Sequence, residues 1–159
     1  MKDFTVKTLP DVELTPHILD ILKRLDDSTV DLKECISMPP EVYTSPEWFD
    51  FEKRAIWDRE WICVGHQGSI PNSGDYVSIT VNDDPFLVLR ASDGSIRILS
   101  AVCQHRGHVL GKECGNSKLF TCPMHAWSYD ETGKLVAAPQ MEEHVALQDL
   151  QQSSSLPVL

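Results

Sequence analysis

From Trp61 onward the apolar residues alternate in short runs, "WICVGH", "DYVSITVN", "PFLVLRA" and "SIRILSAV", broken by "PNSGD", "NDDP" and "SDGS". β-Branched side chains with a period of two, cut off by Gly, Pro, Asn and Asp, specify antiparallel strands joined by tight hairpins. "WSYDETGKLVAAP" adds one more hairpin, turning at Glu131 to Gly133. The region from about 61 to 138 is therefore expected to form a small, mainly β unit. Cys63, inside the first run, reads as a core residue, where Cys acts as a small hydrophobe.

Upstream the period is near four. "TPHILDILKRLDD" reads as an amphipathic helix with Ile18, Leu22 and Leu25 on one face. "MPPE" then stops any helix, because a Pro pair favours extended backbone. "SPEWFDFEKRAIWDREW" opens a second helix, with Ser45 as N-cap, Pro46 at the first helical position and Glu47 in the first turn. Its Trp48, Phe51 and Ala55 share one face. Four segments result: an acidic N-terminal extension over 1–44, a lead-in helix over 45–60, the β domain over 61–145 and a tail over 146–159. The apolar end "LPVL" reads as a strand cut short or as a frayed tail.

A chain of 159 residues has room for one cored domain and not for two catalytic modules. The formal charge of -10, with no Lys/Arg cluster against it, argues against nucleic acid and anionic membranes and favours a basic protein partner. No segment is apolar enough to span a bilayer. Five cysteines at irregular spacings, with no secretory signal, do not make a disulfide framework. A reducing, cytoplasmic compartment is expected.

The chemistry concentrates in two loops between strands. "CQHRGH" and "CPMH" together give C-x-H, sixteen residues, then C-x-x-H: Cys103, His105, Cys122 and His125. Each loop supplies one thiolate and one imidazole. Zinc accepts such a set, but its usual patterns place like ligands in pairs, whereas Cys and His alternate here. A two-iron cluster accounts for the alternation, since each short spacer can then reach both irons, thiolates on one and neutral imidazoles on the other.

With these loops in view the chain resembles a known family. "CQHRGH" and "CPMHAWSYDETGKLVAAP" are similar to the Rieske domain of aromatic-ring-hydroxylating oxygenase large (alpha) subunits, with its C-x-H-R-G and C-x-x-H-G-W-x-Y patterns. The lead-in from Pro39 through "WICVGHQGSIPNSGDY" is similar as well, so the likeness covers about 39 to 140. The resemblance implies a Rieske-type fold, a small antiparallel β-sandwich or barrel with a cluster-binding subdomain behind an N-terminal helix. It also implies a 2Fe-2S cluster with Cys103 and Cys122 on one iron and His105 and His125 on the other. The implied function is one-electron transfer, from a ferredoxin or reductase to a mononuclear non-heme iron in a C-terminal catalytic domain absent from this sequence. Family large subunits commonly form homotrimers in which one subunit's cluster serves its neighbour's iron. The alternatives are a free-standing Rieske ferredoxin and, further off, a zinc-stabilised β domain.

Departures from the pattern carry information. Ala126 stands where the family most often has Gly, a small change where the backbone angle is negative. His108 and Met124 occupy positions that hold disulfide-forming cysteines in respiratory Rieske proteins, and Trp127 replaces their cluster-facing Ser. Fewer hydrogen bonds to the sulfurs imply a potential of about -150 mV, the low end of the Rieske range. His108 fits neither ligand spacing and reads as loop surface; Arg106 reads as a solvated loop arginine or, alternatively, as a positive group beside the cluster for docking. Cys114, between the loops, has no expected redox role. Trp127 and Tyr129 read either as strand packing or as cluster shielding, with the Tyr129 hydroxyl near a sulfur. "MEEH" at 141–144 reads as surface charge, with no second His to complete a facial triad.

Overall fold

The computed structural model describes residues 12–141 and 144–158. The chain separates into two compact units, Met1–Ile62 and Cys63–Leu159. In the first, α1 spans Pro16–Leu25, capped by the Thr15 hydroxyl, which accepts from the Ile18 N–H at 3.3 Å. Ile18 and Ile21 are fully buried and Leu22 and Leu25 partly so, which is the i, i+3, i+4, i+7 stripe of one helix face. Short α2, Glu41–Thr44, leads into α3, Pro46–Glu52, whose Ser45 cap accepts from the Trp48 N–H at 3.2 Å. Trp48 and Phe51, with ring centroids 5.1 Å apart, close this small core against Ile18, Ile21 and Val12. The Arg24 guanidinium grips both oxygens of Glu41, at 3.0 and 3.2 Å, and this fork tethers α1 to α2.

The expected 45–60 helix keeps α geometry only to Glu52. Over Lys53–Trp57 it widens into a π turn, in which the Asp58 N–H reaches back five residues to the Lys53 carbonyl at 2.9 Å. "WICVGH" also departs from expectation. Residues 61–66 form neither helix nor strand and pair with no strand among the described residues, and Trp61 and Cys63 are exposed rather than core. Alternation fixes which side chains share a face, but strand identity needs a neighbour with free backbone groups.

The second unit holds two antiparallel sheets and no closed barrel among the described residues. One is built from β1 (Asp75–Val81), β2 (Asp84–Arg90), β3 (Ile96–Ser100) and β4 (Cys114–Asn116), in the order β3-β2-β1-β4. β1 and β2 are joined by Asn82 and Asp83, both with positive φ (50° and 73°), the two-residue turn that matches strand twist. The other sheet, in the order β5-β6-β7, consists of β5 (Leu119–Thr121), β6 (Ser128–Asp130) and β7 (Leu135–Ala137). Its β6–β7 hairpin turns through 131–134, with Gly133 at φ 81°.

Leu87, Leu89 and Leu99 from the first sheet meet Phe120, Tyr129 and Leu135 from the second in one core. Each such buried side chain contributes roughly 1.5–3 kcal/mol. The tail is part of this unit. After α4 (Leu147–Ser154), Leu156 enters the core, its N–H bonding the Gly133 carbonyl at 2.7 Å, and Val158 bridges Leu99 on the free edge of β3.

Candidate metal centre

Both loops emerge from strand necks at the end of this core. The Val102–Val109 bridge and the Leu110 N–H to Ala101 carbonyl bond (2.7 Å) close the neck of the first. The pairing of Thr121 with Ser128, their hydroxyls 2.9 Å apart, closes the second. Inside the necks the loops are built alike. The Cys103 N–H bonds the His108 carbonyl at 2.9 Å and the Cys122 N–H bonds the Trp127 carbonyl at 2.8 Å. The Gly107 N–H returns to the Cys103 carbonyl and the Ala126 N–H to the Cys122 carbonyl, both at 2.9 Å. The fifth residue of each loop is left-handed, Gly107 at φ 75° and Ala126 at φ 60°. The turn after His125 therefore does not have the negative angle under which Ala is a small change. It forces an L-residue into a region that favours Gly. The signal was present in the sequence: Gly107 stands at the same offset from Cys103 as Ala126 does from Cys122.

This construction brings the four candidate ligands together. Cys103 and Cys122 are buried, while His105 and His125 are half-buried with ring centroids 4.6 Å apart and planes at 87°. A cavity of about 350 Å³ is lined by all four together with Arg106 and Met124. The His105 Nδ1 is buried with no hydrogen-bond partner, a state that costs free energy unless something binds there. Burial first, then the neighbouring His125 and Arg106, lowers the His105 pKa and favours the neutral imidazole, the form that ligates metal.

Two aromatic side chains on and beside β6 hold the first loop in place. The Trp127 indole stacks on His105, with centroids at 4.8 Å and planes 15° apart. Tyr129 is wholly buried and its hydroxyl accepts the Gln104 N–H at 3.0 Å, which leaves its own proton to point at the Cys103 Sγ, 3.4 Å away. Burial, followed by the Cys103 contact, raises the Tyr129 pKa far above its usual value, so this donor stays protonated. Of the two readings open for Tyr129, the structure shows the sulfur contact and the packing together.

Other candidates lie apart from these four. His108 touches the cavity but is exposed, Cys114 is exposed on β4, and His144 is exposed while Glu142 and Glu143 lie outside the described residues. Among the described residues no three His, Cys, Asp or Glu side chains converge on one point. A lone zinc ion asks for four protein ligands around a single centre, whereas a two-iron cluster asks for only two at each iron. The orphaned Nδ1 and the two-plus-two donor set fit the cluster.

A β domain presenting two matched Cys/His loops across one cavity defines a class of binuclear metal-binding proteins. The chain belongs to the Rieske [2Fe-2S] domain family, whose model matches residues 60–154. It is 36% identical over 118 residues to the chlorobenzene dioxygenase subunit alpha of Cupriavidus sp. (strain PS12), covering 74% of this chain and 26% of that protein. It is 37% identical over 97 residues to the anthranilate 1,2-dioxygenase large subunit of Acinetobacter baylyi, covering 60% and 21%. Among solved structures it is similar to naphthalene 1,2-dioxygenase from Rhodococcus sp. bound to indole, at TM-score 0.80 and 32% identity over 92% of this chain and 33% of that one. A quaternary ammonium Rieske monooxygenase is similar at TM-score 0.67 and 36% identity, over 75% and 33%. The chain thus spans about a quarter of the length of the curated relatives it matches. No helix among its described residues is long and apolar enough to cross a membrane.

Proposed function

We propose that this chain is the electron-receiving domain of a terminal oxygenase, carrying one electron at a time through a Rieske 2Fe-2S cluster. Cys103 and Cys122 hold one iron, and His105 and His125 hold the other. The single observation that supports this most directly is the matched pair of loops, each aiming one buried thiol and one imidazole into a shared cavity. When bound, the cluster supplies a reversible one-electron couple with no open coordination position, so oxygen and substrate are activated elsewhere.

The chain's own residues set the conditions for that couple. Buried cysteines exclude water from one side, Trp127 fixes the ring plane of His105, and the Tyr129 O–H stabilises charge on the Cys103 sulfur. The electron comes from a ferredoxin or reductase and leaves for a mononuclear non-heme iron in a catalytic domain outside this sequence. Supporting that destination, the similar proteins named above are dioxygenase subunits and a Rieske monooxygenase linked to inter-subunit electron transfer. We place the reaction in aromatic-ring hydroxylation, in the cytoplasm, with a homotrimer as the assembled form.

The test is visible absorption with electron paramagnetic resonance of the dithionite-reduced protein, followed by a redox titration. A rhombic reduced signal and a midpoint of about -150 mV are expected. A colourless, silent protein holding stoichiometric zinc refutes the assignment.

A further inference from the structure

The four-stranded sheet is apolar on both faces. Its register sets Tyr76, Leu87, Leu89 and Leu99 toward the shared core and turns Val77, Val88, Ile96 and Ile98 the other way. An antiparallel sheet with one face in water carries polar side chains there, so an apolar second face asks for a cover. Part of that cover is the stretch 64–70, which meets Val77, Val88 and Ile96 around a cavity of about 330 Å³. Val88 is buried and Ile96 is 43% exposed, which marks the depth of the cavity and its mouth. Arg90 holds the covering stretch in place whatever fills the space. Its guanidinium donates to the Ile70 carbonyl at 2.7 Å and to the Gln67 carbonyl at 3.2 Å. The cavity is thus built into the fold, and it shares no lining residue with the cavity of the two Cys/His loops.

The lining states what it can hold. The Gly68 N–H donates to the His66 Nδ1 at 3.0 Å. An accepting Nδ1 puts the proton of the neutral ring on Nε2, and that N–H has no partner among the described residues. Val64 and Ile70 join the sheet's side chains as walls, and no charged side chain lines the space. Burying an ion without a countercharge is costly, so the occupant is neutral. An apolar cavity of about 150 Å³ takes one benzene ring, and roughly twice that volume takes two fused rings. Rigid rings also lose little freedom on binding. Ile96 is the one exposed large hydrophobic among the lining residues, too small an apolar patch for a protein to dock on.

We propose that this cavity is a binding site for a neutral two-ring aromatic molecule bearing one oxygen acceptor. The oxygen takes the His66 Nε2–H, and the rings lie against Val77, Val88 and Ile96. Mostly apolar walls with a single placed donor are the usual composition of a small-molecule site. The proposal stands apart from the cluster assignment, because none of the four ligands lines this space.

The experiment is calorimetric titration of the cluster-loaded full chain with 2-naphthol at neutral pH, with the site mapped by amide NMR shifts. A Kd on the order of 100 µM is expected, with shifts gathered at residues 64–70, Val77, Val88 and Ile96. Naphthalene, which lacks the oxygen, binds about fivefold more weakly. The charged 2-naphthoate binds at least about tenfold more weakly. Ile96→Glu sets a carboxylate at the mouth, and Ser69→Trp fills it from an exposed turn. Each weakens 2-naphthol by about tenfold or more, with circular dichroism unchanged. Ser69→Trp leaves the sheet untouched and decides the question if Ile96→Glu unfolds. No heat and no shifts up to about 2 mM 2-naphthol, or shifts gathered elsewhere, overturn the proposal. So do a folded variant that binds like the parent, and naphthalene or 2-naphthoate binding as tightly as 2-naphthol. A dimer in sedimentation that Ile96→Glu dissociates and 2-naphthol leaves intact also overturns it, because the occupant is then a second copy.

Discussion

Ala126 offers the sharpest thermodynamic test of the loop geometry. Its φ of 60° places an L-residue where Cβ crowds the carbonyl, at a cost of roughly 1–2 kcal/mol. Ala126→Gly removes that strain but gives the unfolded chain more freedom, worth about 0.4–1 kcal/mol in the opposite direction. The net expectation is a gain of about 0.5–1 kcal/mol. Gly107→Ala is the reciprocal perturbation. A Cβ built on Gly107 meets no atom within 4 Å, so its penalty is backbone strain at φ 75°, a loss of roughly 1–2 kcal/mol offset by about 0.4–1 kcal/mol from the same entropy term, which now favours Ala. Differential scanning calorimetry of the cluster-loaded protein, at matched scan rates, should move Tm up by about 2 °C for Ala126→Gly and down by a similar amount for Gly107→Ala. Equal and near-zero shifts would mean that the two loops do not share their turn. A destabilised Ala126→Gly would show that the Ala126 methyl makes a contact outweighing its strain.

Tyr129→Phe removes a proton donor from the Cys103 sulfur and an acceptor from the Gln104 N–H. Losing about 1 kcal/mol of stabilisation specific to the reduced state corresponds to roughly 40 mV, so the midpoint should fall by about that amount in a titration, with Tm falling as well. His105→Cys is expected to retain a cluster and lower its potential; an unchanged midpoint means that His105 is not a ligand. Asp75 has its carboxyl held below the usual range, first by the Asn116 side chain and then by the Asn72 N–H. Its contribution is present above the unfolded value of about 3.9 and is lost as pH falls through the lower folded value. Asp75→Asn should therefore flatten the acid limb of a urea-stability profile below about pH 4, and an unaltered limb speaks against the network.

Much of the candidate site was legible because its signals are local. A C-x-H or C-x-x-H spacing places a thiol and an imidazole within one turn, and Gly107 marks where such a turn reverses. The strand periods and the hairpins at 82–83 and 131–134 were equally readable, since turn residues act through their own backbone angles. The helix cap at Ser45 is local in the same sense, bonding three residues ahead. What stayed hidden depended on residues far apart in the chain. "WICVGH" has a strand's alternation but no paired neighbour among the described residues, and Cys63 is exposed. "LPVL" carries no period long enough to read, yet Leu156 completes the core because Gly133 and Leu99 leave a place for it.

By itself, then, the sequence determined the donor types, their spacing and the mainly β architecture that sets two loops side by side, because each is written in short-range pattern and in the stereochemistry of single turns. Only the tertiary structure decided that Ala126 adopts a left-handed angle, that Tyr129 meets Cys103 across 26 positions, and that Trp127 stacks on His105. Those contacts arise when β6 packs against the first loop. Burial and hydrogen-bond satisfaction are properties of that packed surface, and no stretch of the chain holds them alone.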